Sequence, residues 1–66
     1  MTRRRVTIVP ERRVLVVAHV VDDLSGERLA SSEEWESEKD AIAEALSMVC
    51  DNEVCVGVND VREVEG

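Results

Sequence analysis

Residues 37–50 read SEKDAIAEALSMVC, the one stretch of the chain with an unbroken helical period. Ala41, Ile42, Ala45, Leu46 and Val49 share one face at i, i+3, i+4 and i+7 spacing, with Met48 at its margin and Glu44 and Ser47 turned outward. Ser37 is placed to cap the start. Asp40 follows three residues later in a weak capping box, and Glu38 and Asp40 put negative charge at the positive end of the helix dipole. A helix this short is marginal by itself in water, so its apolar face needs a sheet to lie on.

The flanking segments supply that sheet. The chain opens RRRVTIVPERR, where Val6 and Ile8 alternate with Thr7 and the arginines as in a half-buried strand. Pro10 fits the first corner of a turn through Glu11 and Arg12, which predicts a hairpin. The second strand, 13–22, carries Val14, Val16, Ala18 and Val20 on one side and Leu15, Val17, His19 and Val21 on the other. Both sides are apolar, yet one short helix covers only one face of a small sheet. The second face therefore asks for a partner, and a homodimer joined through Leu15, Val17, His19 and Val21 is expected.

Asp22, Asp23, Ser25 and Gly26 mark a turn, with Gly26 available for a positive φ. Residues 27–36 read either as a third strand or as an early helix start capped by Ser31 or Ser32. The strand is preferred, because DLSG followed by ERLA reads as a hairpin return and SEKD as a fresh helix start. After the helix, Asp51 and Asn52 make a polar stop and Val54, Val56 and Val58 alternate in a last strand. Asn59-Asp60 then makes a turn or bulge before Val61 and Val64. The expected fold is α+β: a small antiparallel sheet in the order β-β-β-α-β, with one amphipathic helix packed on one face, in a single domain over 1–66.

Composition limits what such a domain can be. A chain of 66 residues buries only about 60% of the surface its unfolded form exposes. Trp35 is its only aromatic residue, so valine, isoleucine, leucine and alanine must make the core, and thirteen valines favour strands. Neither a signal peptide nor an apolar run of membrane-spanning length is visible, which predicts a cytoplasmic protein. The net charge of −7 is unevenly spread: residues 1–13 carry five arginines against Glu11, whereas 14–66 carry three basic residues against fourteen acids.

Catalytic patterns are absent. The one histidine, His19, sits inside an apolar strand, where packing explains it. The serines occupy turns, caps or surface, and a hydroxyl without a positioned base is a poor nucleophile. Gly26, Gly57 and Gly66 are too scattered for a phosphate-cradling loop, so no cofactor is expected. Cys50 and Cys55 read most simply as two buried free thiols; a disulfide between them and a metal site with His19 are the alternatives. These readings point to a non-enzymatic protein.

Its surface is more informative. Glu33, Glu34, Glu36, Glu38, Asp40 and Glu44 crowd around the helix start, with Trp35 among them. One reading is a solvated face that keeps a small protein in solution, with Trp35 as its one large core side chain. The other is a carboxylate array that docks on a basic protein surface, with Trp35 as its apolar anchor. In an extended stretch, Glu34, Glu36 and Glu38 would repeat every 6.6 Å or roughly so, an anionic ladder of the same kind as a phosphate backbone.

In size, in the acidic block EEWESEKD and in a lone helix on a short sheet, the chain resembles the small acidic inhibitors that phages use against host defence nucleases, anti-CRISPR proteins among them. The resemblance implies a nuclease or CRISPR effector in the host cytoplasm as partner, blocked at a guide- or target-binding groove or held inactive. A rival reading gathers Arg3, Arg4, Arg5, Arg12 and Arg13 on the first hairpin as a basic ribbon for nucleic acid. A third pairs that basic hairpin with the acidic helix of another copy.

Overall fold

The computed structural model describes residues 3–60 and 62–63. The elements run β1 (Arg4–Arg12), β2 (Val16–Asp22), β3 (Arg28–Ser31), α1 (Glu38–Ser47), β4 (Glu53–Val58) and the two-residue β5 (Arg62–Glu63). The chain is α+β, with one helix on a small sheet of order β3-β2-β1-β4, and β5 also pairs with β1. The positions expected for Val61 and Val64 lie outside the described residues.

Alternation decides the two faces of the sheet. Val6, Ile8 and Pro10 of β1 meet Val16, Ala18 and Val20 of β2 on one face, and all six are buried. Helix α1 packs on β2 and β1 over this face. It does so through Ala41 and Ala45, both fully buried, whose small side chains let the backbone approach the sheet closely. Ile42, Met48 and Val49 flank the contact, whereas Leu46, expected on the same face, is 44% exposed. Ser37 stands at the N-cap with extended backbone, but its side chain makes no capping hydrogen bond, so the start rests on backbone geometry and on Glu38 and Asp40 in the first turn. The helix stops at Ser47, short of Cys50, and the Met48 and Val49 amides donate to the Ala45 and Leu46 carbonyls in a tightened last turn.

Pro10 does not turn the chain. It lies inside β1, opposite Ala18, and the reversal comes later, where the Arg13 amide donates to the Leu15 carbonyl at 2.9 Å. The bonding pattern explains why proline is accepted there. The Asp23 amide donates to Arg5 and the Arg13 amide to Leu15, so odd-numbered residues of β1 bond towards β2. The Arg4 amide donates to Asn52 and the Asn59 amide to Ile8, so even-numbered residues bond towards β4. Pro10 is even, and β4 ends at Val58, opposite Ile8. The missing N–H therefore falls in the gap between the end of β4 and the start of β5, whose pairing with β1 begins at Glu11. The later turn also displaces three residues from the expected second strand: Arg13 and Leu15 sit in the turn, and Val14 at its tip is 99% exposed.

The β2–β3 turn forms as expected. The Asp22 carboxylate accepts from the Leu24 and Ser25 amides at 2.8 and 3.0 Å, and Gly26 takes φ 76°. Strand pairs β1–β2 and β2–β3 are antiparallel, but β4 joins β1 in parallel, so the sheet is mixed. The cause is topological. Strand β3 runs in the direction of β1, and α1 carries the chain back across the sheet to start β4 in that same direction, as a helical crossover does.

Candidate functional site

The segment 32–37 between β3 and α1 carries Glu33, Glu34 and Glu36, half of the acidic residues singled out above, and it is fastened at several points. Ser32 continues the ladder past the end of β3: its amide donates to the Ala18 carbonyl at 2.8 Å, and its Oγ accepts from the Ala18 amide at 2.9 Å, replacing a backbone carbonyl. The same hydroxyl donates to the Glu33 carbonyl. Trp35 exchanges two backbone hydrogen bonds with Val16, at 2.7 and 2.9 Å. From the helix, Glu44 Oε1 accepts both the Glu33 amide at 3.0 Å and the Trp35 indole N–H at 2.6 Å.

This arrangement corrects two expectations. Glu44 is not turned out to solvent; it is the clamp that fixes the loop to the helix. Glu34, Glu36 and Glu38 do not form one extended ladder, because Glu38 already belongs to the first turn of α1, where its carboxylate lies 3.9 Å from Arg12. What remains outward is a group of exposed carboxylates, Glu33, Glu34, Glu36 and Asp40, with the Trp35 ring 38% exposed among them. None of these four forms an ion pair with another described residue.

The arginines are not gathered. With Pro10 inside β1, Arg3, Arg4 and Arg5 lie at one end of a nine-residue strand and Arg12 and Arg13 at the other, about 25 Å away at strand rise. Arg4 faces Asp22 at 3.6 Å, Arg5 faces Asp23 at 4.0 Å and Arg13 bonds Glu11 at 3.0 Å. The lopsided charge of the sequence thus becomes mixed charge at both ends, and no continuous basic ribbon forms.

Of the residues expected on the second face, Val17, His19 and Val21 lie there together, on the side of the sheet away from α1. A shallow basin of about 490 Å³ opens above Val9, His19 and Val21, walled in part by Glu11, Arg28 and Asn59. His19 is only 8% exposed. Its Nδ1 lies 2.7 Å from Ser31 Oγ, while Nε2 has no hydrogen-bond partner and Glu11 Oε2 stands 3.9 Å away. That separation is too long for the second bond that would orient a Ser-His pair for catalysis.

Burial, and then the positive charge of Arg28, push the His19 pKa below its ordinary 6.5. The unfolded chain then binds this proton more readily than the folded one, so stability should be full above pH 6.5 and fall as pH drops through that value towards the lower folded-state pKa. Urea midpoints at about pH 7.5 and about pH 5.5 check this: the wild type should lose more than His19→Gln, and equal losses would refute it. Asp22 titrates in a separate, lower window, because the Ser25 and Leu24 amides hold its pKa below 3.8.

Cys50 and Cys55 are unbonded, and Cys50 is exposed rather than buried. The adjacent Glu53 carboxylate raises the Cys50 pKa, which keeps the thiol protonated. Among the described residues no helix is long and apolar enough to cross a membrane. No family model matches the sequence, and neither a curated protein nor a solved structure is similar to it.

Proposed function

We propose that the chain is a non-enzymatic interaction module that sets its acidic β3–α1 loop against a basic surface of another protein and so acts as an inhibitor. The observation that carries this reading is the clamping of Trp35. A half-exposed indole held by Val16 and Glu44, with unpaired carboxylates on both sides, has little freedom left to lose on binding. Tryptophan is a frequent anchor at the centre of interfaces, and surrounding charge of one sign speeds encounter with a surface of the other. The favoured partner is a protein whose basic groove ordinarily takes nucleic acid, a nuclease or CRISPR effector included.

The test is capture of such a protein from host extract at low salt, with wild-type chain and with Glu34→Lys combined with Glu36→Lys. Both positions are exposed and without intramolecular ion pairs to other described residues, so the variant keeps its fold by circular dichroism. Capture should drop at least about tenfold in the variant, and wild-type capture should weaken steeply with added salt. Equal capture by both chains would sink the proposal.

A further inference from the structure

We propose that the face of the sheet opposite α1 is a reversible homodimer interface, with His19 at its centre. This surface is separate from the acidic loop. Its middle is apolar, built from Val9, Val17 and Val21, and all three are half-buried although no described element lies over them. At the centre His19 Nε2 is buried without a hydrogen-bond partner, a state that a facing surface relieves.

Charge selects a second copy as the occupant. The chain as a whole carries −7, yet the described charged side chains bordering this face are Arg5, Arg13 and Arg28 against Glu11, Asp22 and Asp23. These sum to zero, so two strongly acidic chains can approach here without the repulsion that other approaches meet. A highly basic partner gains nothing on such a face. The register adds complementarity. A two-fold axis across the strands at His19 sets Val17 of one copy against Val21 of the other, so that the apolar middle of the face meets itself. Strands of nine, seven, four and six residues outline about 400 Å² in projection, so the contact belongs to the small, reversible class.

Sedimentation velocity from about 5 to about 500 μM should show wild-type chain passing from monomer to dimer, with Val17→Glu weakening the association at least about tenfold. Glu34→Lys with Glu36→Lys should dimerise like wild type, which separates this result from the behaviour of the acidic loop. Concentration-dependent NMR shifts in the wild type should fall on the Val9, Val17 and Val21 methyls and spare Ile42 and Leu46, a readout that holds even if Val17→Glu fails to fold. A wild type still monomeric at about 500 μM, or shifts confined to α1 or β4, overturns the proposal.

Discussion

Ile8→Ala should remove about half of the chain's stability at 25 °C. Ile8 is the largest fully buried side chain, on the central strand, opposite Val20 on one side and Val58 on the other. Truncating a buried isoleucine to alanine costs about 2–5 kcal/mol, because the lost transfer free energy is joined by that of the cavity left behind. A chain of 66 residues has a total stability of about 3–10 kcal/mol. With valine, leucine and isoleucine in place of aromatics, few other contacts compensate. Urea unfolding followed by circular dichroism should place the Ile8→Val variant about 1 kcal/mol below wild type and Ile8→Ala about 2–5 kcal/mol below it. An Ile8→Ala midpoint close to that of wild type would contradict the assignment of this residue to the core.

Ser32→Ala should cost about 1–3 kcal/mol, far more than a serine in a loop normally contributes. Its hydroxyl is the acceptor for the Ala18 amide, and Ala18 is fully buried beneath α1. Alanine removes the acceptor and leaves that donor unsatisfied where water does not reach. Ser32→Thr keeps the oxygen and should recover much of the loss. Amide exchange at Ala18 reads the effect directly: it should accelerate in Ser32→Ala, and unchanged exchange there would show that the hydroxyl is not its acceptor.

What was legible in the sequence was what neighbouring residues decide. The helix start at Ser37, the turn through Gly26 and the last strand from Glu53 all rest on local signals, and the structure has each of them. Pro10 was misleading because the cost of its missing N–H depends on which strand stands beside it, and strand neighbours are not written locally. The dispersal of the arginines follows from that one residue. The parallel pairing of β4 was equally hidden, since alternation reports which side chains face the core but not which way the adjacent strand runs. At the acidic loop the residue types were visible but their duties were not. Ser32 read as a cap or surface serine and Glu44 as an outward carboxylate, and only the approach of Ala18 and Trp35 in three dimensions makes them a ladder acceptor and a clamp. The indole N–H of Trp35 was the one available hint, because a partly buried tryptophan seeks an acceptor.

The parallel pairing has a consequence for how the molecule assembles and comes apart. Strands β1, β2 and β3 follow one another through short turns, whereas Val6 meets Cys55 only after the chain between them has been drawn into place. Closing so long a loop is entropically expensive and is rewarded only late, so the meander and helix form a nucleus onto which β4 zips. Unzipping runs in the opposite order. The valine-rich margin Val54, Val56 and Val58 is then the part of the protein most often detached, and it is there that self-templated strand pairing between chains would begin on storage at high concentration.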